Sequence, residues 1–167
     1  VNSQADALAS TANFLKNSGY QPGQPWGYEV RLPASINAKN DRKNKQPISH
    51  WRSLGLTLTD GSPLPDSLAS AGLFLPSGKN GPAFLVGRNF DSFYAYNASE
   101  NYALAIAHLS KQIENQDTNV EFATAWPTDD PGLSRKESRE VQESLNLLGY
   151  DIGEVDGIIG DGTRRAI

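Results

Sequence analysis

The chain has no cysteine, no methionine and no long apolar run. Without cysteine it has neither a disulfide framework nor a thiolate metal site. Because its 167 residues begin at Val1 and include no methionine, we expect a processed or trimmed product, with any signal peptide removed before residue 1. The longest apolar stretch, 102–109, is interrupted by His108 and is far shorter than the roughly 20 residues that cross a bilayer. The sequence therefore predicts no membrane span.

Basic residues are scarcer than acidic ones, and the formal net charge is −4. Nucleic-acid binding needs clustered cations that contact phosphates, so this balance argues against a nucleic-acid partner. The basic cluster at 39–45 contains no aromatic residue, and we interpret it as a solvated loop. The 38% share of hydrophobic residues is sufficient for a folded core.

The first third of the chain alternates helix and strand signals. The apolar residues of 6–17 recur at helical spacing and predict an amphipathic helix. Apolar and polar residues alternate over 26–33, which predicts a strand with one buried face. A loop is predicted over 34–47, followed by a short helix at 48–54. We expect Trp26 and Trp51 to lie in the core rather than in a site.

Two short apolar runs, 71–75 and 83–87, are bounded by glycine and proline and predict adjacent antiparallel strands. A longer helical pattern follows over 102–113. Ser99 is its predicted N-cap. In this pattern Ile106 and Leu109 are predicted to face the core.

A change in composition near the C-terminal third predicts a domain boundary. Periodicity fades after residue 115, and the segment 126–132 is rich in proline, aspartate and glycine. Ser134 and Glu137 then form a capping-box pattern before a helical stripe of Val141, Leu145 and Leu148, and a second helix begins near Asp161. The predicted domains are 1–118, a linker at 119–133, and 134–167.

The C-terminal segment resembles the helical peptidoglycan-binding domain family. The resemblance rests on VQESLNLLGY at 141–150, DGIIG at 156–160 and TRRAI at 163–167. It covers the first half of such a domain and implies a partial all-α module. Gly149 and Gly157 suit the left-handed turns that link its short helices.

Residues 1–115 resemble the C-terminal half of the lytic transglycosylase B family. The matching blocks are 6–10, 25–30, 87–90 and, above all, YNASENYA at 96–103. In that family the last motif lines the glycan groove, and an aromatic residue near the position of Phe14 contributes to it. The resemblance therefore implies a substrate-binding site at Tyr96, Asn97, Ser99, Tyr102 and Phe14.

The same resemblance implies the reaction and its limits. Such enzymes cleave the MurNAc-GlcNAc β-1,4 bond without hydrolysis and leave 1,6-anhydromuramic ends, using one glutamate as acid and base. In the family that glutamate and a calcium loop lie upstream of the block resembling 6–10. We therefore expect no catalytic residue, metal or cofactor in this chain. Glu29 and Glu100, the acids inside matching blocks, receive no catalytic role.

The sequence predicts an α+β fold: helices with a small antiparallel sheet, as in the C-terminal part of a lysozyme-like transglycosylase, then the partial all-α module. The expected partner is the peptidoglycan glycan strand, in the periplasm or cell envelope of a bacterium. A non-enzymatic peptidoglycan-binding protein is the alternative. A zinc-dependent wall hydrolase is a third possibility, but His50 and His108 are isolated and do not supply its ligands.

Overall fold

The computed structural model describes residues 3–127 and 132–167, and the chain divides into two compact units, Val1–Pro127 and Thr128–Ile167. Within the described residues, the helices of the first unit are α1 (Gln4–Asn17), α2 (Ile48–Ser53), α3 (Arg88–Tyr96) and α4 (Glu100–Asn115). Its strands are β1 (Gly27–Arg31), β2 (Asp41–Pro47), β3 (Thr57–Leu58), β4 (Ser70–Phe74) and β5 (Ala83–Val86). The second unit contains α5 (Arg135–Leu147) and α6 (Asp161–Ala166). None of the described helices is long and apolar enough to cross a bilayer.

Local capping explains where three of these helices begin. The Ser3 hydroxyl accepts a hydrogen bond from an amide in the first turn of α1, and Ser99 does the same for α4. At α5, Ser134 and Glu137 bond reciprocally, as the sequence predicted for a capping box. The predicted Ser99 cap is confirmed as well.

The five strands form one antiparallel sheet in the order β2-β4-β5-β1-β3. The predicted neighbours β4 and β5 pair directly, with Phe74 opposite Phe84. β1 lies on the other side of β5, with Tyr28 opposite Leu85. This small sheet among helices confirms the predicted mixed α+β fold.

The predicted loop at 34–47 is wrong over its second half, because Asp41–Pro47 forms the edge strand β2. The interpretation of 39–45 as a solvated loop is wrong as well. Arg42 is only 5% exposed and forms ion pairs with Asp91 at 3.1 Å and Glu100 at 2.7 Å. Lys45 pairs with the other oxygen of Asp91 at 3.1 Å. Arg42 can be buried and Lys45 half-buried because partners on α3 and α4 neutralise their charges.

Both faces of the sheet are covered by apolar residues. Since successive side chains of a strand point to opposite faces, Leu73 and Leu85 join one cluster and Phe74 and Phe84 join the other. The first cluster includes Trp51 of α2 and Leu64 of the following loop. The second includes Trp26, Phe90, Phe93, Ala103 and Ala107. Trp26 and Trp51 are therefore core residues, as predicted.

The buried face of α4 differs from the predicted one. Ala103, Leu104 and Ala107 are buried, whereas Leu109 is 49% exposed, so its predicted core position is wrong. Ala103 and Ala107 share a cluster with the bulky Phe90 and Phe93 of α3, and their small side chains allow the two helices to pack closely on this face. Ile106 is half-buried and packs against this cluster.

Residues 118–127, which we call the strap, run along the first unit. The Glu29 carboxylate on β1 accepts hydrogen bonds from the backbone N–H groups of Ala123 at 2.8 Å and Thr124 at 2.7 Å. The Gln112 amide of α4 also donates to the carbonyl oxygen of Thr118 at 3.0 Å.

An aromatic anchor completes the attachment of the strap. The Phe122 ring lies 5.0 Å from the ring of Phe84 and 4.4 Å from that of His108. The segment predicted as a linker, 119–133, therefore begins with residues that pack against the first unit. Residues 128–131 of that prediction lie outside the described residues.

The second unit is organised around a buried glutamine. Gln142 is 2% exposed, and its side-chain amide donates to Asp156 Oδ1 at 3.0 Å and to the carbonyl oxygen of Ile158 at 3.1 Å. Its oxygen accepts the N–H of Gly157 at 2.7 Å. Gly157 has a φ of +77°, which favours glycine, and a Cβ there would lie 2.8 Å from a backbone oxygen. Of the predicted stripe, Leu145 is buried and Leu148 is exposed.

Candidate functional site

The predicted site residues lie where α3 ends and α4 begins. Asn97 leaves helical geometry, with φ −143° and ψ 111°, and ends α3 after Tyr96. Two residues later Ser99 caps α4, and its hydroxyl accepts the N–H of Tyr102 at 3.3 Å. The two helices therefore meet at a sharp break, with an aromatic side chain on either side of it.

Three aromatic rings form a cluster at this break, and we call Phe14, Tyr96 and Tyr102 the aromatic cluster. Phe14 of α1 meets Tyr96 edge to face, with ring centroids 5.3 Å apart and planes at 89°. Tyr96 stacks on Tyr102 at 6.3 Å and 11°. The structure thus brings together three of the five predicted site residues from two distant parts of the chain.

The aromatic cluster faces solvent. Tyr96 is 50% exposed and Phe14 39% exposed, and Asn97 beside them is exposed too. Grouped exposed aromatic faces are a feature of binding surfaces, because their apolar area stays in contact with water until a ligand covers it. Aromatic faces pack on the C–H surface of a ring, and the adjacent amide and hydroxyl groups supply directional hydrogen bonds.

An ion-pair network around the buried Arg42 links the two helices that meet at the break. Glu100, the first residue of α4, pairs with Arg42, whose second partner is Asp91 of α3. The Arg42 guanidinium also lies over the ring of Tyr94, 3.9 Å from its centroid. Arg42 therefore links both helices that flank the break, a role that sequence reasoning missed. The sequence feature that could have indicated this role is the position of Arg42 in a segment without apolar residues.

Lys45 reinforces the same network. Its ammonium group donates to Asp91 and to the backbone carbonyl oxygens of Arg42 and Val86. Burial lowers the pKa of Lys45 below its ordinary value, against the opposing effect of Asp91.

The acids inside the matching blocks are engaged in structural bonds. Glu29 holds the strap and Glu100 pairs with Arg42. Among the described carboxyl groups whose pKa is shifted, those of Asp60, Glu137 and Asp156, hydrogen bonds lower the pKa in each case. A general acid at neutral pH requires the opposite shift.

The two histidines do not form a metal centre with other side chains of the described residues. Over residues 3–127 and 132–167, no group of three histidine, cysteine or acidic side chains is placed to hold an ion. His50 lies edge-on to Trp51, and His108 packs on Phe122. His50 is exposed beside its chain neighbour, whereas His108 is a half-buried packing residue.

The family model for the transglycosylase SLT domain matches residues 1–111. The chain belongs to the transglycosylase SLT domain family. This match includes all five predicted site residues and the ion pairs of Arg42, and it ends within α4. No curated protein sequence matches the chain.

Two solved structures are similar to this SLT chain over nearly its whole length. SltB3 from Pseudomonas aeruginosa in complex with NAG-anhNAM-pentapeptide is 45% identical with a TM-score of 0.84, over 99% of this chain and 44% of that one. The same protein in complex with NAG-NAM-pentapeptide gives 46% and 0.83, with the same coverage of both chains.

A more distant structure is the Escherichia coli lytic transglycosylase Slt35 in complex with calcium. It is 27% identical with a TM-score of 0.53, over 66% of this chain and 35% of that one. The SLT chain spans less than half the length of these solved relatives.

Proposed function

We propose that this chain is the glycan-holding part of a peptidoglycan lytic transglycosylase of the B type. The whole enzyme would cleave the MurNAc-GlcNAc β-1,4 bond and leave a 1,6-anhydromuramic end. Two findings support this: membership of the SLT family, and the P. aeruginosa relative in complex with NAG-NAM-pentapeptide and with NAG-anhNAM-pentapeptide. The observation that carries the proposal is the exposed aromatic cluster at the break between α3 and α4.

Each site residue has a task in this proposal. Tyr96 and Phe14 pack against sugar faces, and the near-parallel contact with Tyr102 orients the exposed Tyr96 ring. Asn97, exposed at the break, pairs its amide with an N-acetyl or hydroxyl group. Ser99 caps α4 and so holds Tyr102 in place.

We also propose that the general acid of the enzyme lies outside these 167 residues. A glutamate that protonates the glycosidic oxygen needs a partly apolar setting that raises its pKa. Glu29 and Glu100 are instead held by backbone N–H groups and by a buried arginine. The chain alone is then expected to bind glycan without cleaving it.

The C-terminal unit is proposed to be the first part of a helical peptidoglycan-binding module. The bonds of Gln142 to Asp156 and Gly157 give the residues of the DGIIG segment a structural role, as expected for a turn that links short helices. A substrate in the bacterial wall implies a periplasmic or envelope location.

The test is a binding titration of the 167-residue chain with NAG-NAM, followed by NMR, using Tyr96→Ala and Asn97→Ala. Tyr96→Ala should weaken binding about threefold to tenfold, since a ring contact is worth about 0.5–1.5 kcal/mol. Asn97→Ala should weaken binding without lowering the melting temperature. Trp126→Ala is the matched control, because that ring is 40% exposed but lies on the strap.

Equal weakening by Tyr96→Ala and Trp126→Ala would contradict the placement of the site. Release of anhydro-muropeptides from purified sacculi by the wild-type chain would contradict the absence of a general acid. No binding of any glycan by the wild-type chain would overturn the proposed function itself.

A further inference from the structure

Helix α1 and the turn that follows it pack against α3. The aromatic cluster lies at one end of this contact, and an arginine lies at the other end. Arg88 is the first residue of α3, and its guanidinium lies against Gly19, where a Cβ would overlap it. Gly19 has a φ of +89°, so glycine serves both the turn and the guanidinium packed on it. Arg88 is exposed, and within the described residues no carboxylate lies at ion-pair distance from it.

Arg88 borders a cleft of about 410 Å³. Its polar and charged lining includes Lys45, Asp91, Ser67, Gln21 and Gln24. Serine and glutamine side chains can donate hydrogen bonds to an acidic group placed beside the guanidinium. Leu68 and Ala69 form its apolar part.

The charges around this cleft do not cancel. Arg42 and Lys45 are two cations that pair with two acids, Asp91 and Glu100. Arg88 adds a third cation beside Lys45. Asp66, which also lines the cleft, is paired with Arg52 at 2.7 Å. One positive charge is therefore left over, in a chain whose formal net charge is −4. Burial has the largest effect on the pKa of Lys45 and lowers it, Asp91 opposes this, and Arg42 and Arg88 lower the pKa by smaller amounts.

The two ends of the contact between α1 and α3 are within reach of one ligand. Phe14 touches Tyr96 at one end, and Gly19 lies under Arg88 at the other. The eight steps from Arg88 to Tyr96 span about 12 Å at a rise of about 1.5 Å per residue. An extended peptide of four residues covers about 13–14 Å.

We propose that Arg88 binds a carboxylate of the peptide substituent carried by a muramoyl sugar held on the aromatic cluster. The inference rests on the proposed function, because it takes the position of the sugar from that site. The planar guanidinium offers paired N–H donors that match a carboxylate in a bidentate geometry. The serine and glutamine residues of the cleft accommodate the amide groups of the peptide.

The experiment compares two ligands with the 167-residue chain: NAG-NAM-pentapeptide, and NAG-NAM whose lactyl carboxyl group is capped as a methylamide. Arg88→Gln should weaken binding of the first ligand about tenfold or more and leave the second unchanged, because only the first carries peptide carboxylates. Arg88→Lys keeps the charge but lacks the paired N–H donors of the guanidinium, so its affinity for the first ligand should lie between those of wild type and Arg88→Gln. Lys43→Gln removes the same charge at an exposed position on β2 and should change neither affinity.

Equal weakening of both ligands by Arg88→Gln would overturn the inference, since it would assign Arg88 to the sugar site or to folding. Unchanged binding of both ligands by Arg88→Gln would overturn it as well, while the proposed function would stand. If the wild-type chain bound neither ligand, the proposed function and this inference would both fail.

Discussion

The two units of the chain fill their interiors differently. In the first unit, the sheet is covered on both faces by apolar clusters that include two tryptophans and four phenylalanines. In the second unit, Leu145 is the buried apolar side chain among residues 132–167, and the other buried side chains are those of Ser138, Gln142 and Thr163. The small unit thus depends on directional hydrogen bonds where the large unit depends on apolar area.

This difference determines how each unit responds to substitution. Apolar burial is non-directional, so the first unit loses stability in proportion to the volume removed from its core. A buried hydrogen-bond network fails as a group, because removing one partner leaves the others unsatisfied in a dry environment. The first unit should therefore weaken gradually and the second abruptly.

The largest effect is expected at Leu104 of α4, which lies in the apolar core. Leu104→Ala should cost about 2–5 kcal/mol of unfolding free energy, because it leaves a cavity beside Phe90 and Phe93. Leu109→Ala, on the same helix, should cost less than about 1 kcal/mol because that side chain is 49% exposed. Urea denaturation of both variants measures the difference. Equal losses would mean that the second apolar cluster extends to the outer face of α4.

A second, smaller effect is expected in the hydrogen-bond network of the second unit. Gln142→Leu removes three hydrogen bonds and leaves the Gly157 N–H without its acceptor, at a cost of about 1–3 kcal/mol. Amide signals of α5 and α6 should lose dispersion in NMR spectra while those of the sheet stay in place. Asn146→Leu is the matched control, since it replaces an exposed amide on the same helix. An intact second unit in Gln142→Leu would show that Leu145 alone supports it.

The smallest effect on stability is expected when the pH is lowered. Hydrogen bonds from Ser134 lower the pKa of Glu137 below 4.5, and the Gln142 side chain lowers that of Asp156 below 3.8. A lowered pKa in the folded state contributes stability above the ordinary pKa, and this is lost as the pH falls through the folded value. The protection factors of the amides in α5, which correct for the intrinsic pH dependence of exchange, should therefore fall as the pH falls below about 4.

Glu137→Gln is the control for this acid effect, because its side chain does not titrate and part of the pH dependence should disappear. The pKa of Asp60 in the first unit is lowered as well, by hydrogen bonds from Ser62. Its protonation should affect only its own turn. A sheet that loosened before α5 in acid would reverse the expected order of the two units.

The sequence could predict the elements whose signal is local. The helix of 6–17, the strands near 28–32, 71–75 and 83–87, and the serine caps all have their determinants within a few residues. The placement of Phe14 beside Tyr96 follows from the family resemblance but not from periodicity. The role of these residues in glycan binding stays a prediction.

The missed features depend on partners far along the chain. β2 has no alternating apolar pattern, because it is an edge strand whose Arg42 and Lys45 are neutralised by Asp91 and Glu100. Leu109 fits a helical stripe as well as Leu104 does. Only the bulk of α3 decides which stripe of α4 is buried. Neither determinant is visible in a window of neighbouring residues.

The attachment of the strap has a consequence for how the sequence can drift over evolutionary time. Glu29 supplies both acceptor oxygens, whereas the donors are main-chain N–H groups that every residue except proline possesses. Positions 123 and 124 can therefore change identity freely among non-proline residues, while position 29 can keep this grip only as an acid of the same length. Related chains are expected to vary along the strap and remain constant at the strand residue that holds it.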